Sequence, residues 1–151
     1  MNISALSGQD TIVLNGRVLV DLADGNVCEL TFPNDIAAVK TGKNGNSLYA
    51  LNESGKQADV KLRIVRGSDD DKYLLNLLNN QQNNFVGTVL LTGQFVKKIG
   101  DGAGNITNDI YNVSGGIFKK QVPGTQNVEG DTSQAVADYE MVFSNGPRAL
   151  A

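Results

Sequence analysis

The 151-residue chain contains no histidine, no tryptophan, one cysteine and three prolines. Each absence excludes a class of chemistry. Without histidine the commonest general base and the commonest metal ligand are both missing. A lone cysteine, Cys28, forms no intrachain disulfide and no thiolate cluster for zinc. It sits in an apolar segment and is expected as a small core residue. Aromatics make up only 6% of the chain and the net charge is −3, so a nucleic-acid-binding surface has no compositional support. No apolar run approaches the ~18 residues of a membrane-spanning helix. The start, Met1 to Gly8, lacks a basic region followed by an apolar run, so no secretory signal is read there. The expectation is a protein made and folded in the cytoplasm, with the sequons at Asn52, Asn105 and Asn112 as chance matches.

What is present is enough for a core: 40% hydrophobic residues, with 17 glycines for turns. The length predicts one domain spanning 1–151. It carries a flexible or docking arm over about 1–9 and a short mobile or docked tail over about 145–151. Thr11 to Leu14, the Asn15-Gly16 turn and Arg17 to Val20 read as a hairpin, because both turn residues tolerate positive φ. Asp24-Gly25 precedes a third strand, Val27 to Phe32, and a three-strand meander is expected. Pro33 to Asn46 is turn-rich and reads as a structured loop. Ser47 to Leu51 reads as a short strand. Gln57 to Arg66 alternates cleanly, with Ala58, Val60, Leu62 and Ile64 facing one way and Gln57, Asp59, Lys61 and Arg63 the other.

One helix is predicted after Ser68. Ser68 caps it, Asp69, Asp70 and Asp71 favour its dipole, and Tyr73, Leu74, Leu77 and Leu78 follow at helical spacing. It is expected to fray from Asn79 to Asn84. Phe85 to Val122 then reads as a long hairpin around Gly100 to Asn105, with arms longer than a typical strand of ~5–6 residues. Such a tip stands away from the body and is expected to serve assembly. Pro123 to Thr132 is expected as a loop and Gln134 to Phe143 as a last strand. The fold class is therefore mainly β: two packed antiparallel sheets, a sandwich or partly closed barrel, with one flanking α-helix.

No residue set reads as catalytic, cofactor-binding or metal-binding. Asp69 to Asp71 could hold a hard cation, but a helix start explains them. Gly100-x-Gly102-x-Gly104 precedes a strand pattern, where a phosphate loop would precede a helix. Asp101, Asn105, Asn108 and Asp109 lack the spacing of a calcium loop. Lys97 is expected opposite Asn108 or Asp109 as a cross-strand charge pair. Asp138 and Glu140 share a face, yet no partner for acid–base work accompanies them. A hydrolase is disfavoured by the missing histidine, and a small-ligand barrel by the few aromatics.

Several strings, however, carry a resemblance. They are Gly16-Arg17-Val18-Leu19-Val20-Asp21, Thr31-Phe32-Pro33-Asn34-Asp35, Lys40-Thr41-Gly42-Lys43-Asn44-Gly45-Asn46 and Ala50-Leu51-Asn52-Glu53-Ser54-Gly55. Further along come Arg66 to Lys72, Thr92 to Gly102, Asn127 to Thr132 and Pro147-Arg148-Ala149. Together, over Gly16 to Ala149, the chain resembles the tail tube proteins of contractile-tailed bacteriophages. The resemblance implies a virion protein, not an enzyme. It implies hexameric rings stacked into an inner tube within a contractile sheath, with sheath, baseplate and terminator proteins as partners. DNA would pass through the lumen without specific binding, no membrane or cofactor is involved, and assembly would take place in the host cytoplasm. Asp59, Asp138 and Glu140 are the lumen candidates. The closest rival is another tail component, a terminator or a baseplate adaptor.

Overall fold

The computed structural model describes residues 5–8, 10–124, 126 and 135–151. Among them the order is β1 (Asp10–Leu14), β2 (Arg17–Val18), β3 (Cys28–Thr31), β4 (Ala37–Thr41), β5 (Ser47–Leu51), β6 (Ala58–Val65), α1 (Asp69–Asn83), β7 (Leu91–Gly100), β8 (Ile106–Lys120), β9 (Val136–Asn145) and β10 (Arg148–Leu150). Eight strands form one antiparallel sheet in the order β2-β1-β7-β8-β9-β6-β3, with β10 added beside β8. The second sheet is the hairpin β4–β5. The expected mainly β chain with two antiparallel sheets and one α-helix is what the structure holds. No helix among the described residues is long and apolar enough to cross a membrane.

The large sheet bends round until its ends meet. Asn15 and Gly16 take φ of 51° and 79°, the mirror-image turn their sequence favours, and β2 returns along β1. The chain then leaves β1. The Leu19 N–H still donates to Ile12 O (2.9 Å), but the Val65 N–H donates to Asp21 O and the Ala23 N–H to Arg63 O (both 2.9 Å). Leu22 also bridges Ile64. Residues 17–23 thus begin against β1 and end against β6. The expected meander is corrected here: β3 pairs with β6, not with β2. A meander would leave the outer edge of β6 open, and the observed path covers it.

Period-2 alternation builds the core. Ala58, Val60, Leu62 and Ile64 of β6 are buried and lie opposite Phe143, Met141, Tyr139 and Ala137 of β9, which are buried too. In β8, Gly116 faces Phe143, and a Cβ there would come within 2.3 Å of the Phe143 ring. Only glycine lets the ring lie flat across the strand.

Helix α1 lies on this core through Leu74 and Leu78, both buried. Ser68 Oγ accepts from the Asp71 N–H (3.2 Å), the expected cap. The helix does not fray at Asn79 but runs to Asn83. Gln81 explains this. Its buried amide donates to Phe118 O (2.9 Å) and accepts from the Phe118 N–H (2.8 Å), fastening the last turns to β8.

Other boundaries also move. The loop expected over Pro33 to Asn46 contains β4, closed on β5 by a turn in which the Gly42 N–H donates to Asn46 O (2.7 Å). The long hairpin's first strand starts at Leu91 rather than Phe85, and 85–90 is a connection. The tail forms β10 on β8. Most of the loop expected over Pro123 to Thr132, and residues 1–4 and 9 of the arm, lie outside the described residues.

Leu74→Ala is expected to cost on the order of 2–5 kcal/mol, since it empties a fully buried site. Leu75→Ala, on the exposed side, is expected to stay within about 0.5 kcal/mol. Urea unfolding of both variants measures the difference.

Candidate functional site

The carboxylate triplet at the helix start has three separate fates. Asp69 is exposed. Asp70 is fully buried: Oδ2 accepts from the Val20 N–H (2.7 Å) and the Asp21 N–H (2.8 Å), and Oδ1 from Arg17 Nε (2.9 Å). Arg17 lies 5.0 Å over the Tyr73 ring. Asp71 Oδ2 accepts from the Gly67 N–H (2.8 Å), and its Oδ1 accepts from the Tyr139 hydroxyl (2.5 Å). Burial opposes ionisation of Asp70, but the two backbone donors and Arg17 outweigh it and hold its carboxyl below the ordinary range. Burial, then the neighbouring Asp71, pushes the Tyr139 hydroxyl up, which keeps it protonated as the donor. Among the described residues no group of three or more Cys, Asp, Glu or His is arranged to hold a metal ion. Asp70 ties the helix start to residues 17–21, and Asp71 ties it to Tyr139 of β9 and to its own entry turn at Gly67.

The polar face of β6 and β9 carries the lumen candidates. Lys61 stands directly opposite Glu140, and Arg63 opposite Asp138. Glu140 is held at 3.3 Å by Lys61 and 3.4 Å by Lys120. Partial burial would raise its pKa, but these two lysines draw it below the usual carboxylate range. Arg63 reaches Asp138 at 3.9 Å and Asp24 at 3.6 Å. Asp59 lies opposite Val142, with Gln57 Nε2 at 3.5 Å. Asp138 and Glu140 therefore belong to an alternating charge lattice, not to a bare acidic wall, and neither is poised for acid–base work.

At the tip of the long hairpin, Asp101 closes its own turn. Oδ1 accepts from the Ala103 N–H (2.8 Å) and the Asn105 N–H (3.1 Å), and Oδ2 from Asn105 Nδ2 (2.8 Å). The Asn105 side chain and these backbone donors hold its carboxyl below the ordinary range. Gly102 and Gly104 supply φ of 84° and 93°. The tip is thus a self-satisfied turn, and Leu6 pairs with Gly100 at its base (2.9 and 2.8 Å). Lys97 faces Asp109 in register, as expected, yet its ion pair is with Asp10 at 3.8 Å. Asp109 instead takes a two-pronged contact from Arg148 of β10 (2.8 and 3.1 Å), the stronger geometry for a carboxylate. Cys28 is half-buried and its thiol is pushed up to about 12 by burial and then by Glu29, which disfavours the thiolate.

Two surfaces escape a sequence reading. Val39, Leu48, Tyr49 and Leu51 of the β4–β5 hairpin are exposed, as are Phe85, Val86, Val89 and Leu90 of the connection after α1. The second run was absorbed into a strand because β-branched residues fit one. Its Gly87 was the available signal against that reading. The Gly87 N–H donates to Asn84 Oδ1 (3.2 Å), and the resulting turn separates helix from strand.

No family model and no curated protein matches the chain. Solved structures do share its shape. A chain from the cryo-EM structure of an extracellular contractile injection system, the PVC sheath/tube terminator in the extended state, matches with a TM-score of 0.55 at 13% identity, covering 95% of this chain and 93% of that one. A chain from the PVC sheath-tube complex in the extended state matches with the same TM-score and identity, covering 95% of this chain and 88% of that one. At this identity the likeness establishes the fold.

Asp70→Asn removes charge from three charge-assisted bonds and is expected to cost about 1.5–3 kcal/mol. The folded pKa of Asp70 lies below the unfolded value of about 3.9. Its stabilisation is therefore complete above that value and lost as pH falls through the folded pKa. Urea unfolding from pH 7 down to pH 3 is expected to narrow the gap between wild type and Asp70→Asn as the pH drops.

Proposed function

We propose that this protein is a structural subunit of a contractile tail-type particle and that it works by self-association around a channel. The shared fold with chains of two contractile injection assemblies, over nearly the full length of both partners, is the observation that carries this reading. The resemblance of Gly16 to Ala149 to tail tube proteins supports it from the sequence side. The charge lattice and the closed Asp101 turn are structural furniture, consistent with a mechanical role and no enzymatic one.

Two positions in such a particle fit. The fuller coverage of the terminator-assembly chain supports a terminator ring at the end of a tube. The tube itself is the second reading, favoured by the sheath-tube likeness and by two apolar surfaces that a stack of rings would cover. In either position six copies would form the ring, the sheath would be the outer partner, and DNA would pass through without specific binding. A mixed lattice of lysine, arginine and carboxylates on the lumen wall would hold passing phosphates only weakly. The particle would be the site of action, a virion tail assembled in the host cytoplasm.

Mass photometry and negative-stain microscopy of the purified protein, taken from dilute to concentrated, test both readings. Closed rings that do not grow fit a terminator. Filaments of stacked rings fit a tube. A monomer at every concentration would contradict both.

A further inference from the structure

The β4–β5 hairpin carries apolar side chains on both faces. Its register sets Val39, Tyr49 and Leu51 on one face, and Leu48, Ala38 and Ala50 with Lys40 on the other. Every residue of both strands is exposed, with Leu48 at 69%, Tyr49 at 73% and Leu51 at 73%. A two-stranded ribbon without cover is marginal in water. Its foot is nonetheless fixed: the Asn52 N–H donates to Ile36 O (2.9 Å) and Asn34 Nδ2 to Ser54 O (3.2 Å). Ile36 at the foot is exposed too, at 71%. Exposed apolar patches of this kind on soluble proteins often mark interaction sites.

The second surface follows α1. Val86 is 99% exposed and Val89 85%, flanked by Phe85 and Leu90. The Asn84 turn holds them in place, with the Thr88 N–H on Phe85 O (3.3 Å) and Thr88 Oγ1 on Asn84 O (3.2 Å). Beside them opens a cavity of about 410 Å³ of mixed lining, with Leu77, Val89, Leu91 and Phe118 alongside amides such as Asn80 and Asn84. The charges also match. The last turn of α1 contains no basic residue, so its partial negative charge is uncompensated there. Lys43 in the hairpin's turn, and Lys40 near it in β4 opposite Leu48, make no ion pair among the described residues. Both surfaces stay exposed in one copy, so the hairpin does not cover the connection of its own chain.

We propose that the β4–β5 hairpin of one copy seats on the Phe85–Leu90 connection of a second copy, with Lys40 and Lys43 toward the C-terminal end of its α1. This rests on the reading of the protein as a self-associating subunit. The two surfaces are different, so the contact is head-to-tail. Each copy offers one of each, and the contact repeats from copy to copy, as ring closure or stacking requires.

The experiment uses two full-length variants, Tyr49→Ser with Leu51→Ser, and Val86→Ser with Val89→Ser. All four side chains lie outside the core, so circular dichroism is expected to match wild type. Each variant alone is expected to need about tenfold or more protein to assemble, as loss of central apolar anchors does. An equimolar mixture keeps one intact hairpin and one intact connection, and is expected to associate where neither variant does. Variants that assemble like wild type, or a mixture that recovers nothing, would overturn this contact while leaving self-association in place. A wild type that stays monomeric would overturn the contact and the proposed function together. As an independent readout, a mixture of Tyr49→Cys and Val86→Cys proteins is expected to form a disulfide between copies on mild oxidation, and its absence would count against the contact.

Discussion

Asp70 sits where the start of α1 meets the segment that joins the two ends of the sheet. Two backbone donors of that segment and the Arg17 side chain all end on its carboxylate. Residues 17–23 change partners from β1 to β6, and at the change Val20 and Asp21 have backbone N–H groups that no strand accepts. A buried unpaired N–H costs roughly as much as the bond it lacks. The carboxylate supplies the acceptor. In return the donors and Arg17 keep the charge of the buried carboxylate tolerable. The helix is thereby fixed in position, and Leu74 and Leu78 join the buried core. Tyr139 reaches back from the sheet to Asp71, and Gln81 fastens the other end of the helix. Closure of the sheet, seating of the helix and burial of the core are one coupled arrangement.

With the sheet closed on itself, three kinds of surface remain. The β6–β9 face is a lattice of opposed charges. The tip of the long hairpin is a turn satisfied by its own Asp101. The β4–β5 hairpin and the connection after α1 are apolar and uncovered. In the first two the charged and polar groups are largely paired with one another. The third has a thermodynamic reason to find a partner, because burial of such surface is worth roughly 25 cal/mol per Å². Such uncovered apolar surface is what the proposed self-association would bury.

How much of this the sequence discloses depends on where the determining contacts lie. The β6 alternation, the Asn15-Gly16 turn and the Ser68 cap are local, and each reads directly from neighbouring residues. The role of Asp70 was hidden because its partners are some fifty positions away, and because a helix-start aspartate already has a sufficient local explanation. The path of residues 17–23 is concealed for the same reason: nothing near Leu22 marks Ile64 as its partner. β5 reads directly as a short strand, but β4 is hidden inside a turn-rich segment, because Lys40, Gly42, Lys43, Gly45 and Asn46 crowd the few apolar residues that form it. Gln81 was read as part of a fraying polar run, since an amide that bonds strand backbone looks the same in sequence as one that meets water.

Hydrogen exchange at two protein concentrations tests the central claim most directly. In dilute solution the amides of β6 and β9 are expected to be protected, while those of β4–β5 and of 85–90 exchange quickly. At high concentration the account predicts strong slowing in those two segments, with β6 and β9 unchanged. Equal exchange of both segments at the two concentrations would contradict the view of this protein as a self-assembling subunit.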